Sequence, residues 1–468
     1  MKNKVLSGFS WNFGNRIIAN TVQLLVYFFL AKILDPKDFG AVAIVMIVIN
    51  FGKILSTSGL GASIIQEKVF SKKKYIVLQT LSICLGFTAM ISLMFFAPII
   101  GNYYSDFEKL EELLILASPI LLFSSIYAVQ SSMLIRDLNF KGLFFISVIP
   151  AIIAGIISIT LANRGYGASS IIWNSLISLV ICVLFLSLKF KKFNRFNFKF
   201  RSIKKSIKFS GNILFINLLE EAYKSLYTLF IGKKFGDKDL GFYNFGRQLP
   251  GYASLTVNAT LSTILFPTLS KQSFKEKTIT YNKAFIYSIL FYAPLIGLTF
   301  LLAEDIIILL FNDKWNESLP YIYMFSLIYG LHNLHYNYTQ FLYSSGKSKE
   351  ALKFESIKKL IAIIFFLITI NQSLFLITLG QLLASVVFVI YTLILTYLKH
   401  RFPSKKYLLK TVTILTFNLI VFFTLQITSD TFQNIVLKIL FCTVIYLLFL
   451  IWLLKYLKIL DFAKILKK

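Results

Sequence analysis

The stretch FINLLEEAYKSLYTLFIG, residues 215–232, is apolar enough for a membrane-spanning helix but carries three ionisable side chains near its centre. A helix needs about 20 mostly apolar residues to cross a hydrocarbon core of roughly 30 Å. A charged group at mid-depth costs at least about 2.5–3.5 kcal/mol. We therefore expect Glu220, Glu221 and Lys224 to meet water or charged partners rather than lipid.

Comparable apolar runs recur along the whole chain of 468 residues, 57% of which are hydrophobic. No loop is long enough for a further folded domain, and the alternating pattern of barrel strands is missing. The sequence predicts an all-α polytopic membrane protein with about 14 transmembrane helices. The predicted spans are 10–33, 40–65, 75–100, 113–133, 142–162, 168–188, 209–231, 241–266, 284–302, 319–342, 356–370, 375–398, 411–428 and 434–454.

The net charge of +28 comes from Lys and Arg residues concentrated in alternate loops, on the side that also holds both ends of the chain. Cytoplasmic loops are the ones that carry such an excess. The pattern predicts a multi-pass protein of the cytoplasmic (inner or plasma) membrane with both termini cytoplasmic. Positive charge arranged in this way indicates a membrane surface as partner, and we expect no binding of nucleic acid.

Two parts of the chain repeat each other. KDFG (37–40) follows the first span and KDLG (238–241) follows the seventh, while FFAPII (95–100) resembles FYAPLI (291–296). A repeat of six spans returns the chain to its starting side, so the halves must be parallel. We predict an N-terminal six-helix bundle, a basic cytoplasmic linker, a C-terminal six-helix bundle, and two additional helices with a basic tail. Their ranges are 1–190, 191–208, 209–400 and 401–468.

The charged residues of the spans fall in the first two spans of each half, with two exceptions that we expect to reach the interface: Lys358 and Lys359 at the start of the eleventh span, and Lys438 near the outer end of the last span. This segregation predicts a hydrated cavity lined by spans 1, 2, 7 and 8. Basic groups outnumber acids there, which favours an anionic ligand. The predicted cavity residues are Arg16, Lys53, Lys224 and Arg247, with the acids Glu220 and Glu221.

The acids leave two alternatives open. Glu220 and Lys224 are four residues apart on one helix face, so they form either a self-neutralising structural pair or a pair that contacts substrate or a coupling ion. Glu221 points some 100° away from Glu220 and needs its own partner, Lys53 or Arg16, or a proton.

Other polar features of the spans carry weaker predictions. Amides such as Asn217 and Gln248 fit either a wet cavity or hydrogen bonds between helices. Pro250-Gly251 either breaks or kinks the eighth span. His332 and His335 could titrate in a pore or bind a metal weakly, but we expect them to serve packing. We predict no metal site and no cofactor, with a proton or sodium gradient as the candidate driving force.

Three stretches resemble the polysaccharide-export branch of the multidrug/oligosaccharidyl-lipid/polysaccharide exporter superfamily, which includes the Wzx-like flippases. They are GFSWNFGNRIIANTVQLLVYFFLAKILDPKDFGAVAI (8–44), STSGLGASIIQEK (56–68) and LLFNDKWNESLPYIYMFSL (309–327). The resemblance implies two six-helix bundles in a V plus two further helices, and a transporter rather than an enzyme.

The resemblance also implies a function and roles for the cavity residues. The substrate would be an undecaprenyl-pyrophosphate-linked oligosaccharide, flipped across the membrane for O-antigen, capsule or teichuronic acid synthesis together with other polysaccharide-assembly proteins. Arg16, Lys53, Lys224 and Arg247 would bind the pyrophosphate or acidic sugars. Glu220 or Glu221 would be a coupling or gating acid.

Two other functions are compatible with a polytopic helical chain. A drug or cation antiporter of the same superfamily would be favoured by a mainly acidic cavity, whereas the predicted cavity is mainly basic. A membrane-embedded polysaccharide polymerase or ligase would be favoured by a large outer loop, and the predicted outer loops are short.

Overall fold

The computed structural model describes residues 2–57, 60–66, 71–137, 139–190, 196–198, 204–270, 272–400, 402, 405–429 and 434–456. All regular structure within these ranges is helical. The α-helices are α1 (Lys2–Ile33), α2 (Pro36–Thr57), α3 (Leu60–Gln66), α4 (Lys72–Tyr103), α5 (Leu110–Ala117), α6 (Pro119–Arg136), α7 (Phe140–Asn163), α8 (Ser169–Lys189), α9 (Lys204–Ser270), α10 (Phe274–Phe311), α11 (Leu319–Ser344), α12 (Ser348–Thr369), α13 (Leu374–His400), α14 (Lys405–Ser429) and α15 (Ile435–Tyr456).

Within the described residues each predicted span is mainly helical, so the prediction of an all-α membrane protein is confirmed. Two predicted spans are each divided between a long and a short helix: the second between α2 and α3, and the fourth between α6 and α5. The seventh and eighth spans lie in the two arms of α9, and Gly236 is the one residue of that helix with non-helical backbone angles (φ +82°). Because Gly has no Cβ, it adopts this conformation without steric cost. The helix continues through Pro250 and Gly251, so the break that was one of the two alternatives there is absent.

Nine helical segments of the described ranges are long and apolar enough to cross a membrane, with mean hydropathy of 1.9 to 2.6 in their best windows. One of these segments joins α10 and α11. The protein is therefore a multi-pass membrane protein. The nine do not include the predicted spans 1, 7, 8 and 11, and the count of fourteen stays a prediction. Of these four spans, spans 1, 7 and 8 carry residues of the predicted cavity.

The chain divides into two compact units, Met1–Asn244 and Phe245–Lys468. In the first, α1 packs on α7, and α4 packs on α6. In the second, α11 packs on both α10 and α13, and α14 and α15 both lie against α10. The boundary falls 36 residues beyond the predicted start of the C-terminal bundle at residue 209, so the first unit takes in the N-terminal arm of α9. The predicted division into bundles stays a prediction.

The repeated motifs occupy matching places in the helices. Pro98 lies near the end of α4 and Pro294 lies in the second half of α10, each inside a continuous helix. The break between α1 and α2 at Asp35 corresponds to the break at Gly236 in α9, because each lies just before its copy of the motif, KDFG or KDLG. The repeat seen in the sequence is thus also a repeat of local structure.

The two copies of the motif touch each other inside the first unit, and the contact is reciprocal. A Cβ added to Gly40 would overlap the backbone carbonyl oxygen of Asp237, and a Cβ added to Gly241 would overlap that of Pro36. Gly40 corresponds to Gly241 in the repeat, and Pro36 corresponds to Asp237. The first turn of α2 and the first turn of the C-terminal arm of α9 therefore cross at backbone distance, and only glycine fits at either position.

Helix α15 is fixed to α10 by polar and close contacts. Lys438 forms an ion pair with Asp305 (Nζ–Oδ2 2.8 Å), and both side chains are largely buried. Further along, a Cβ on Gly297 would overlap the Tyr446 hydroxyl. The sequence predicted that Lys438 extends to the interface by itself, whereas in the structure a partner on α10 neutralises its charge.

Candidate functional site

The predicted ion pair on the N-terminal arm of α9 is present. Lys224 Nζ lies 3.5 Å from Glu220 Oε1, one helical turn away. The Lys224 side chain is 62% exposed and the Glu220 side chain 42%. The pair is thus formed along the helix surface and is not enclosed by other helices.

Glu221 has a weak partner on its own helix. The Ser225 hydroxyl donates to its carboxylate at 3.5 Å, which is the long limit for a hydrogen bond. The contacts described for Glu221 do not include Lys53, one of its two predicted partners. The side chain of Arg16, the other one, lies outside the described residues.

Lys53 lies in α2, where its neighbours fix the face that it presents. Gly52 packs against Leu121 of α6, and a Cβ there would require the Leu121 side chain to shift. The hydroxyls of Ser56 and Thr57 both donate to the Lys53 backbone carbonyl. With α2 held against α6 through Gly52, the half-buried Lys53 side chain projects from an adjoining position on the helix surface.

Arg247 belongs to the second unit, in the C-terminal arm of α9. Its side chain is half-buried, and its charge acts on the hydroxyl of Tyr329 in α11. The same Tyr329 hydroxyl lies 3.3 Å from the place of a Cβ on Gly251, one turn along α9. Gly251 therefore makes room for the tyrosine that stands beside Arg247.

Three polar side chains of the predicted spans are exposed, and their exposure limits the surroundings in which they are stable. Asn217, Lys224 and Gln248 are all exposed within helices predicted to cross the membrane. Hydrocarbon would leave their polar groups without hydrogen bonds, at a cost of several kcal/mol each. A water-filled surface is the environment in which such side chains are stable.

The structure brings together one predicted pair, Glu220 with Lys224. Lys53 and the acids lie in the first unit, and Arg247 lies in the second. The grouping of all six around one cavity stays a prediction. Among the described residues, no cluster of three or more His, Cys, Asp or Glu side chains could hold a metal ion.

A second polar cluster, which the sequence-based prediction of the cavity did not include, lies inside the second unit. Helix α11 buries Asn333, His335 and Asn337 almost completely. The Asn337 amide donates to the Ser288 hydroxyl of α10 (2.9 Å), which donates in turn to the Ala284 carbonyl (2.9 Å). The sequence signal was the alternation of polar side chains at positions 333, 335 and 337 within an apolar run.

The same cluster continues to α12. The Thr339 hydroxyl donates to Glu355 Oε1 (2.9 Å), and Glu355 Oε2 lies 3.7 Å from Lys358 Nζ. The ring of His335 lies 4.5 Å from that of His332 and 4.9 Å from that of Phe388 of α13, between centroids. We call His332, His335, Thr339, Glu355 and Lys358 the histidine cluster.

Comparison with solved structures identifies proteins that share this fold. Over 97% of the chain and 99% of its counterpart, the fold matches a lipid II flippase, MurJ, in an inward closed conformation (TM-score 0.73, 16% identity). It also matches an inward-facing multidrug resistance MATE family transporter of the MOP superfamily (TM-score 0.62, 12% identity), over 84% and 96% of the two chains. At these identities the likeness shows the shared fold.

Sequence comparison identifies relatives in polysaccharide synthesis. The chain is 21% identical to lipopolysaccharide biosynthesis protein WzxC of Escherichia coli (strain K12), over 70% of this chain and 67% of the relative. It is 22% identical to teichuronic acid biosynthesis protein TuaB of Bacillus subtilis (strain 168), over 69% and 68%. The family model described as "Polysaccharide biosynthesis protein" matches residues 29–320. Since this match covers more than half of the sequence, the chain belongs to the polysaccharide biosynthesis protein family.

Proposed function

We propose that the chain is a flippase that carries an undecaprenyl-pyrophosphate-linked oligosaccharide across the cytoplasmic membrane for the synthesis of a surface polysaccharide. Family membership supports the polysaccharide, and the fold shared with a lipid II flippase supports a lipid-linked substrate. The observation that carries the proposal is the exposed pair of charges, Glu220 and Lys224, which lies with Glu221 in an otherwise apolar stretch of α9, residues 215–232. A pyrophosphate with several sugars cannot enter hydrocarbon unaided, so its path must offer polar groups of this kind.

The cationic side chains have the chemistry that such a head group requires. Lys224, Lys53 and Arg247 supply charged donors, and Arg247 can bind a phosphate in a bidentate manner. Arg16 joins them in the proposal on its sequence position alone. Glu220 and Glu221 then act as coupling or gating acids, with both chain termini cytoplasmic. The polyprenyl tail stays in lipid while alternating access exposes the head group to the other side.

A complementation experiment tests this function. The chain is expressed in a host that lacks its own flippase, and surface polysaccharide is measured for wild type, Lys53→Ala, Arg247→Ala and the double variant. A lost charged hydrogen bond is worth about 1.5–3 kcal/mol, so we expect each single variant to lower export about tenfold or more. The exposed Lys349, outside the predicted spans, provides the control Lys349→Ala, which should export like wild type.

The same strains separate the proposed function from its alternatives. A flippase defect leaves complete sugar-lipid units on the inner leaflet. Single repeat units on the outer leaflet would instead indicate a polymerase, and normal polysaccharide with altered drug resistance would indicate an antiporter. Wild-type polysaccharide in both single variants and the double variant would show that Lys53 and Arg247 do not bind the substrate.

A further inference from the structure

Residues 196–198, which belong to the predicted basic linker, lie against the start of α4. The backbone N–H of Asn197 donates to Thr80 Oγ1 at 3.0 Å, and the Thr80 side chain is buried. On either side of Asn197, the side chains of Phe196 and Phe198 are 68% and 65% exposed. We call residues 196–198 the linker strap. The hydrogen bond to Thr80 thus fixes two exposed aromatic side chains beside a helix that is long and apolar enough to cross the membrane.

The position of Thr80 along α4 sets the depth of the linker strap in the membrane. The large exposed apolar side chains of α4 begin at Leu85 and end at Tyr103, a length of about 27 Å at a rise of about 1.5 Å per residue. This length is close to the hydrocarbon thickness of roughly 30 Å. Thr80 precedes Leu85 by about 7.5 Å along the axis, which corresponds to the headgroup layer. Phe196 and Phe198 therefore lie at the depth where aromatic side chains of interfacial segments contact lipid.

The helix ends around the linker strap carry an excess of cations. Phe190, which follows α8, packs against the apolar cluster that joins the start of α4 to the end of α6. Lys189 Nζ lies 3.1 Å from the place of a Cβ on Gly142, in the first turn of α7. The described basic residues of these four helix ends, which we call the basic collar, are Lys72, Lys73, Lys74, Arg136, Lys141 and Lys189. Among the described residues there, the acid is Asp137.

The opposite end of α4 has the opposite charge. The exposed acids between the end of α4 and the first turn of α5 are Asp106, Glu108, Glu111 and Glu112, and the cation among them is Lys109. The positive charge is therefore concentrated at the end that carries the linker strap. Each Lys or Arg close to an anionic leaflet raises binding to it about fivefold. Cations combined with exposed aromatic side chains form the kind of surface that binds such a leaflet.

We propose that the linker strap and the basic collar bind anionic phospholipid. Phe196 and Phe198 enter the interfacial layer of the leaflet, and the exposed ammonium groups of Lys72 and Lys73 bind the lipid phosphates. A free phosphate ion is the poorer ligand, because it gives the aromatic side chains no apolar contact. Lipid bound in this way anchors the predicted linker to the membrane at the point where Thr80 holds it. The proposal is independent of the flippase function, since no transported substrate takes part.

The test places a fluorophore in the linker strap of the purified full-length chain. Phe198→Trp adds an indole at an exposed position, and its fluorescence is measured as the difference from wild type. The nanodiscs contain equal amounts of phosphatidylglycerol and phosphatidylcholine, with quenching bromine atoms on the acyl chains of one lipid or of the other. Random contact would give equal quenching in the two sets. A fivefold preference for each lysine makes us expect quenching by brominated phosphatidylglycerol that is at least about threefold stronger.

Two paired substitutions in this tryptophan variant test the basic collar. Lys72→Gln with Lys73→Gln removes two charges but keeps polar side chains, and it should at least halve the ratio of the two quenching values. The matched control is Lys109→Gln with Arg164→Gln, which removes two exposed cations outside the basic collar. This control should keep the ratio of the parent variant, because the removed charges are far along α4 and α7 from the linker strap.

Two further tryptophan variants complete the design. Phe196→Trp repeats the measurement on the other side of Asn197 and should show the same preference. Tyr166→Trp places the indole at an exposed position beyond the far end of α7 and should be quenched equally in both sets. The proposal is overturned if Trp at 196 and 198 is quenched by neither lipid or equally by both, or if the preference survives Lys72→Gln with Lys73→Gln. A failed complementation would count against the flippase alone, because these measurements contain no substrate.

Discussion

The N-terminal arm of α9 and helix α11 are both predicted to cross the membrane, and both carry polar side chains at mid-length, but they place them in opposite environments. On α9, Asn217 and Lys224 are exposed, and the Glu220 side chain is 42% exposed. On α11, Asn333 and Asn337 are fully buried. The exposed face holds full charges, whereas the most deeply buried positions hold neutral amides with fixed hydrogen bonds. The difference follows from the cost of burying a charge, which greatly exceeds that of burying a hydrogen-bonded amide.

The strongest test of this difference introduces the same charge at a buried position of α11 and at an exposed position of α9. In Asn337→Asp a carboxylate replaces an amide that is fully buried and donates to Ser288. An uncompensated buried charge costs about 3–5 kcal/mol, so we expect loss of most of the folded protein. In Asn217→Asp the same charge enters an exposed position and should change the free energy of unfolding by less than about 0.5 kcal/mol.

Thermal unfolding and the yield of monodisperse protein in detergent measure both variants. Equal losses would mean that Asn217 faces lipid, and the water-filled surface proposed for α9 would then be wrong. If both variants are as stable as wild type, water must reach the side chain at position 337 although it is buried in the structure.

A second experiment asks whether the exposed pair is structural. Lys224→Met removes the cation from Glu220 while keeping the length of the side chain. Exposed pairs contribute about 0.2–1 kcal/mol, so we expect stability to stay within about 1 kcal/mol of wild type. Export of polysaccharide should fall clearly. A large fall in stability with proportionate loss of export would instead support the self-neutralising structural pair that the sequence left open.

The smallest expected effect concerns charges outside the spans. Lys399 donates to Glu350 at 3.2 Å and Lys347 lies 3.3 Å from it, and the hydrogen bond from Lys399 is the main reason why the pKa of Glu350 is lowered. A carboxyl group with a lowered pKa in the folded state adds stability above its unfolded pKa, and this stability is lost as the pH falls through the folded value. We expect Glu350→Gln to remove this acid-side dependence.

The size of that effect is limited by solvent. The Glu350 side chain is 40% exposed, so water and salt screen the interaction to less than about 0.5 kcal/mol. Unfolding midpoints at pH 7 and pH 4 in low salt compare wild type with Glu350→Gln. If Glu350→Gln keeps the full wild-type dependence of the unfolding midpoint on pH, other carboxylates must cause that dependence.

Hydropathy predicted where the long apolar helical segments lie, because the need to bury about twenty apolar residues leaves little freedom in a membrane. It did not predict the division of two spans between two helices or the continuity of α9. The pair of Glu220 with Lys224 followed from the spacing of four residues, which acts within one helix. The partner of Lys438 was missed because Asp305 is 133 positions away, and no local pattern reports on a contact between helices.

The candidate site was harder to predict than the fold for the same reason. Sequence shows which side chains are polar, but it does not show whether a polar face meets water or another helix. From the sequence alone His335 is therefore expected to serve packing, and nothing points to Glu355. In the structure the Nδ1 atom of His335 is buried without a hydrogen-bond partner, and both residues interact with Lys358. Arg247 gained a neighbour, Tyr329, that only the packing of α9 on α11 reveals.

The crossing of Gly40 with Gly241 has a consequence for how such a chain can arise. Each copy of the motif supplies a glycine to the other copy's carbonyl, which is the exchange of contacts that a twofold axis creates between identical subunits. The surface is self-complementary. A single copy of the motif would already carry the glycine and the carbonyl needed to pair with its own duplicate at this point, and joining two copies in one chain would preserve the contact.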